Sequence, residues 1–215
     1  IRNEWRNYEN AGQIAYEIKK LDNAVKVVGK MCRNCFAPIL NFTIEYTFYD
    51  DAVDVELNYA VADYVSYLPR IGLKFALPGR MEDKFIYKGY GPHESYIDKH
   101  IGDEYGEYES TAQKEYFRYV RPQESGSHCG STEVEFDDIK ITAETPFSFS
   151  VIPYSAEMLA FSAHDFELSE TDSVYVSLDV AMSGVGTNSC GPELAQKYRA
   201  PKKGRNKFRI VLKHI

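Results

Sequence analysis

The sequence predicts an all-β fold, a large antiparallel β-sandwich with one or two short helices, and three observations predict it. Aromatic residues make up 14% of the 215 residues, led by 17 Tyr and 12 Phe, and ring-bearing side chains favour the half-buried pleated surface of a sheet. Apolar residues recur at every second position in run after run, the period of a strand with one buried face. Gly, Pro, Asn, Asp or Ser separates each run from the next, as short strands joined by turns require.

The elements follow in order. Ala11–Lys20 and Ala24–Met31 read as a hairpin around Asp22–Asn23. Ile44, Tyr46 and Phe48 alternate with Thr43, Glu45 and Thr47, and Val53, Val55, Leu57 and Tyr59 alternate with Asp54, Glu56 and Asn58. The Asp50–Asp51 turn between them makes a second hairpin. Further strands are expected at Val134 and Phe136, at Phe147, Phe149 and Val151, at Val174, Val176, Leu178 and Val180, and at Phe208, Ile210 and Leu212. Ser155 ahead of Ala156-Glu157-Met158-Leu159-Ala160-Phe161 reads as an N-cap leading a short helix. Arg2–Glu9 is a second helical candidate. No repeat or low-complexity linker divides the chain, so residues 1–215 read as one sandwich domain.

Composition excludes several function classes. The formal charge of −7 opposes a sequence-independent grip on nucleic acid or on an anionic membrane. The basic cluster Lys202, Lys203, Arg205 and Lys207 reads as a solvated flank of the last strand. No apolar run approaches the ~20 residues of a membrane span, and Ile1–Asn10 has no signal-peptide core. Cys32 and Cys35 form a lone CxxC without a second pair at zinc-ligand spacing. Three residues apart in an extended segment they point to opposite faces, so the four cysteines read as free thiols in a reducing compartment. No nucleophile elbow, phosphate loop or dinucleotide fingerprint is present. The sequon Asn41-Phe42-Thr43 lies inside an expected strand.

Three stretches stand out as motifs. The first is Leu68-Pro69-Arg70-Ile71-Gly72-Leu73-Lys74-Phe75, leading into Tyr87-Lys88-Gly89-Tyr90-Gly91-Pro92-His93-Glu94-Ser95-Tyr96-Ile97-Asp98-Lys99. The second is Tyr119-Val120-Arg121-Pro122-Gln123-Glu124-Ser125-Gly126 with His128-Cys129-Gly130, and the third is Gly184-Val185-Gly186-Thr187-Asn188-Ser189-Cys190-Gly191-Pro192-Glu193-Leu194. In this order and spacing they resemble the small-chain, C-terminal domain of family 2 β-galactosidases, a galactose-mutarotase-like supersandwich. The likeness runs from Trp5 to the last strand.

The resemblance implies a sandwich packed on a catalytic (β/α)8 barrel and a galactoside substrate in the intact enzyme. A retaining glycosidase needs two carboxylates about 5–5.5 Å apart. In the family the barrel supplies them, so the resemblance implies no catalytic residue here and an inactive isolated chain. Glu94 and Glu124 sit in the motifs but match no catalytic position. Family metals bind mainly through the barrel, so no metal or cofactor is expected in this chain. The family is largely cytoplasmic, and association into oligomers is left open. Because the sequence opens on Ile1, and Arg2–Trp5 matches a point inside the family domain, its first strands are expected to be missing, leaving an exposed sheet edge.

The resemblance assigns the Gly184–Pro192 loop to the rim of the active site, with Asn188, Ser189 and Cys190 as substrate-binding residues. Some family members carry Trp where Cys190 stands, and the loop here is one residue shorter, so the aromatic platform for an aglycone is lost. Glu94, Tyr96 and Asp98 read as loop-fixing hydrogen-bond groups, and Arg118 and Arg121 as ion-pair partners for the Pro122–Gly126 turn. The alternative functions are a mutarotase-like sugar enzyme, for which His128 and Glu124 are the candidate acid and base among His93, His100, His128 and His164, and a carbohydrate-binding module.

Overall fold

A computed structural model describes residues 11–33, 37–80, 82–186 and 194–213 of the chain. Eleven antiparallel strands carry almost all of the secondary structure: β1 (Gly12–Lys20), β2 (Ala24–Cys32), β3 (Pro38–Phe48), β4 (Ala52–Val61), β5 (Arg70–Pro78), β6 (Lys84–Gly91), β7 (Glu104–Thr111), β8 (Ser127–Glu135), β9 (Ile139–Ile152), β10 (Ser173–Met182) and β11 (Lys203–Leu212). Two short helices accompany them, α1 (Ala112–Glu115) and α2 (Ala156–Phe161). In α2 the Ser155 hydroxyl accepts a hydrogen bond from the Met158 amide at 3.1 Å, the capping expected from the sequence. The Arg2–Glu9 candidate lies outside the described residues.

The strands form one branched sheet. Its main path runs β1-β2-β3-β4-β11-β9-β8-β6-β7, and a prong of β10 and β5 branches from β9. The branch point follows from the 14-residue length of β9. Its first half pairs with β11 from Ile139 to Ala143, and its second half pairs with β10 from Ser148 to Ile152. The sheet therefore divides into two layers that face one another.

Alternation fills the space between them. Phe85, Tyr87, Val134, Ile141, Phe147, Phe149, Val151, Val176, Leu178 and Phe208 form the main core. A second cluster joins Ile39, Leu40, Tyr59 and Val61 of β3 and β4 to Val65 and Leu68 of the β4–β5 connection and Ile71 of β5. Both expected hairpins are present, with Lys20 opposite Val25 and Phe48 opposite Val53.

Among the described residues the strand path ends on an exposed edge. β1 ends the strand path, and eight of its nine residues are exposed, including Tyr16 and Ile18. The β6–β7 hairpin and α1 were not read from the sequence. A four-residue helix is too short to show a period.

Candidate functional site

The motif stretches lie far apart in sequence and meet in the fold through hydrogen bonds. Arg70 opens β5 and faces the end of β10, where Met182 is its register partner. Its Nε lies 3.1 Å from Asp179 Oδ1, its Nη2 2.5 Å from Asp179 Oδ2, and its Nη1 2.8 Å from Glu124 Oε2. One guanidinium thus joins the first motif to the second and to the strand that delivers the third. Burial opposes the Arg70 charge, but Asp179 and Glu124 outweigh it and hold the guanidinium firmly protonated.

Asp179 is buried at 2% exposure although the alternating pattern of β10 places it opposite the core row. Its register slips between Asp179 and Ala181, and Gly72 on β5 makes the close approach. A Cβ at Gly72 would lie 2.2 Å from the Leu178 carbonyl oxygen and 2.7 Å from Asp179 Cα, so only glycine fits. Glu124 is recessed without being sealed: 38% of its side chain remains exposed. Burial among the loops raises its carboxyl above the ordinary carboxylate range, Arg70 opposes the rise, and Asp179 and Glu94 add to it.

The loop after β6 is stitched to the same region. Glu94 Oε2 accepts from the Tyr96 hydroxyl at 3.2 Å and from the Gly126 amide at 3.1 Å, while Lys99 Nζ approaches Oε1 at 3.4 Å. Ser95 donates to the Tyr90 carbonyl at 3.2 Å and accepts from the Cys129 amide at 3.0 Å. Burial, with the nearby Glu124 and Glu94, pushes the Tyr96 hydroxyl far above its usual range, keeping it a donor. Asp98 Oδ1 accepts from the Val185 amide at 3.2 Å, tying this loop to the start of the third motif. The role expected for Glu94, Tyr96 and Asp98 as loop-fixing groups is therefore met by their contacts.

Two expected pairings are corrected. His128 does not meet Glu124. It is fully buried, tilted against Tyr87 at a centroid distance of 4.3 Å and stacked on Phe149 at 5.3 Å, and its Nε2 lies 2.7 Å from Glu115 Oε2. The Gly126 turn has φ +68 and the short helix α1 ends at Glu115 beneath it, which brings His128 and Glu115 together inside the sheet. His128 Nδ1 faces the Tyr90 carbonyl at 3.1 Å, so that nitrogen carries a hydrogen. The Nε2–Oε2 contact must then hold a proton as well, whichever partner owns it. This is a sealed pair, out of reach of a sugar.

The second correction concerns the arginines of the turn. Arg70, from a distant strand, holds Glu124, whereas Arg118 lies 3.7 Å from Asp165. Among the described residues the other three histidines also have partners: His93 beside Asp103, His100 against the Tyr96 carbonyl and Tyr90 ring, and His164 beside Glu167 and stacked on Phe166.

Asn188, Ser189 and Cys190 lie outside the described residues. The two feet of their loop are described, Gly184–Gly186 and Leu194–Ala200. Gly184 N donates to the Tyr198 carbonyl at 2.8 Å, and Ala200 N donates to Ser183 Oγ at 2.8 Å. Cys32 and Cys129 are free and buried, and Cys35 is outside the described residues. Among the described residues, no group of three or more His, Cys, Asp or Glu side chains could hold a metal ion, and no helix is long and apolar enough to cross a membrane.

A family model described as the β-galactosidase small chain matches residues 2–212. The chain belongs to the β-galactosidase small-chain family. It is 39% identical over 206 residues to a β-galactosidase of Actinobacillus pleuropneumoniae, covering 93% of this chain and 20% of that protein. It is 28% identical over 218 residues to a β-galactosidase of Lactobacillus delbrueckii subsp. bulgaricus, covering 97% of this chain and 21% of that one. The small-chain domain thus spans about a fifth of the length of these relatives. A solved structure of a putative aldose 1-epimerase from Escherichia coli K12 aligns with 95% of this chain and 69% of its own, at 8% identity and a TM-score of 0.41.

Proposed function

We propose that this chain is the non-catalytic C-terminal part of a β-galactosidase. In this reading it completes the rim of an active site whose catalytic carboxylates belong to a (β/α)8 barrel elsewhere in the enzyme, and the intact enzyme hydrolyses terminal β-D-galactosides. The observation that carries the proposal is the polar network of Arg70, Glu94, Asp98, Glu124 and Asp179, which gathers the three family motifs around the feet of the Gly184–Pro192 loop. A scaffold of this kind positions a loop, and function concentrates on loops held by rigid frames. Asn188, Ser189 and Cys190 are the proposed contacts to the galactoside or its aglycone.

The proposed partner surface has support of its own. Phe117, Val120, Phe161 and Phe166 expose 60%, 86%, 89% and 82% of their surfaces. Phe117 and Val120 flank Arg118, which meets Asp165 beside Phe166. Large apolar groups exposed to this degree are commonly covered by a partner. The free thiols Cys32 and Cys129 favour a reducing, cytoplasmic setting.

The test is hydrolysis of a chromogenic β-galactoside by the chain alone and after it replaces the matching 206 residues of the Actinobacillus enzyme. Silence alone with turnover by the chimera supports the rim role. Turnover by the chain alone would overturn it and favour an independent sugar enzyme.

A further inference from the structure

Resting on the rim reading above, we propose that Asp98 is the positioning residue that sets the direction in which the chain leaves β10 for the Gly184–Pro192 loop. The first foot of that loop is held from two sides. On the inner side Ser183 N donates to the Pro69 carbonyl at 2.8 Å, Ser183 Oγ donates to the Leu68 carbonyl at 2.7 Å, and Gly184 N donates to the Tyr198 carbonyl at 2.8 Å. Arg199 Nε reaches the Leu194 carbonyl at 3.0 Å and ties down the second foot. These bonds fix where the loop begins and ends but leave the outer side of the Val185–Gly186 backbone unconstrained.

Asp98 fills that side. Its Oδ1 accepts the Val185 amide, and its carboxylate occupies the space that side chains at both neighbouring glycines would need. A Cβ at Gly184 would lie 2.3 Å from Asp98 Cγ and 2.5 Å from each of its oxygens. A Cβ at Gly186 would lie 2.5 Å from Oδ2, and that residue has φ +20. One carboxylate therefore explains why glycine stands on both sides of Val185. The geometry needs a short side chain with an acceptor oxygen: a longer one would push the foot outward, and an apolar one would leave the amide without its partner.

Asp98 can transmit position because its own loop is stitched down. Tyr96 N and Lys99 N each bond the other's carbonyl, at 2.9 and 2.8 Å, and Ser95 N donates to the Ser127 carbonyl at 2.7 Å. Through Glu94 and Gly126 the same loop reaches the turn that holds Glu124. The foot is thus referenced to β8 as well as to β5, and a side chain with a single methylene carries that reference without slack.

The experiment uses the intact enzyme carrying this chain, with Asp98→Ala, Asp98→Asn, Gly184→Ala and the double variant Gly184→Ala/Asp98→Ala. Two readouts are taken: hydrogen exchange of the Val185 amide, and KM and kcat separately for two β-galactosides with a small and a large aglycone. Asp98→Ala is expected to speed Val185 exchange by about 10-fold or more, the scale of a lost charge-assisted hydrogen bond. It should raise KM for the large aglycone by about 10-fold with kcat nearly unchanged, as a loss of uniform binding does. Asp98→Asn, which keeps volume and an acceptor oxygen, should stay near wild type in both. Gly184→Ala should disturb the foot alone, and adding Asp98→Ala should relieve the clash rather than compound it.

Unchanged Val185 exchange and an unchanged aglycone ratio in Asp98→Ala would overturn the proposal, as would strict additivity in the double variant. If the wild-type enzyme hydrolyses no galactoside, the rim reading fails on its own, and Val185 exchange alone then decides whether Asp98 holds the foot.

Discussion

Arg70 carries a heavy electrostatic burden, because Asp179 opposite it is almost fully buried. Removing one partner of such a pair leaves an uncompensated buried charge. Arg70→Ala is therefore expected to lower unfolding stability by about 3–5 kcal/mol, measured by denaturant titration, whereas Glu124→Gln at the exposed end of the same network should cost far less. A second residue-scale prediction concerns acid. Arg205 and Asn58 hold the Glu56 carboxyl down at about 2. A depressed folded pKa contributes stability that is complete above the ordinary carboxylate range and is lost as pH falls through the folded value. Stability should thus decline as pH drops from about 4.5 toward about 2, and Arg205→Ala should flatten that part of the curve in pH-dependent unfolding. Asp179 and Glu115 show where sequence reading stops at this scale. Each is a polar residue in an ordinary polar position of the pattern, and its burial depends on a partner more than ten residues away.

At the scale of elements, strands and turns were largely legible because their signals are local. Period-two alternation, Ser155 as a cap and the Asp50–Asp51 turn each involve neighbours in sequence, and each appears where expected. Ser155→Ala should cost about 1 kcal/mol, seen as earlier loss of α2 in hydrogen exchange, since the Met158 amide loses its acceptor. Gly72 marks the opposite case. Its role depends on β10 passing so close that an added Cβ would lie 2.2 Å from the Leu178 carbonyl oxygen, a non-local fact. Gly72→Ala would press a methyl group onto the Leu178 carbonyl and should destabilise the β5–β10 pairing by about 1–3 kcal/mol or more in chemical denaturation.

At the scale of the whole molecule, the sheet ends at β1 on an edge whose outer side is unpaired among the described residues. Tyr16 and Ile18 stand 61% and 69% exposed on that edge strand, and such an edge invites pairing with another chain. Ile18→Lys is expected to reduce concentration-dependent self-association of this chain in sedimentation, with little change in unfolding stability. A finding that wild type and variant sediment alike at high concentration would show that the edge is inert. The exposed Phe117, Val120 and Phe166 belong to the same scale, because the Arg118–Asp165 contact draws their two separate connections together only after folding.

The sequence by itself determined the all-β class, most of the strands, both hairpins, the capped helix and the family, since all of these are written in local alternation, turn chemistry and ordered motifs. Only the tertiary structure decided which group each carboxylate meets: Arg70 rather than Arg118 or Arg121 at Glu124, Glu115 rather than Glu124 at His128, and the Val185 amide at Asp98. The physical reason is the same in each case. A strand's face is set by a period of two along the chain, but the partner of a buried charge is set by register, bulge and branch point across the sheet, where a shift of one residue reverses which groups meet.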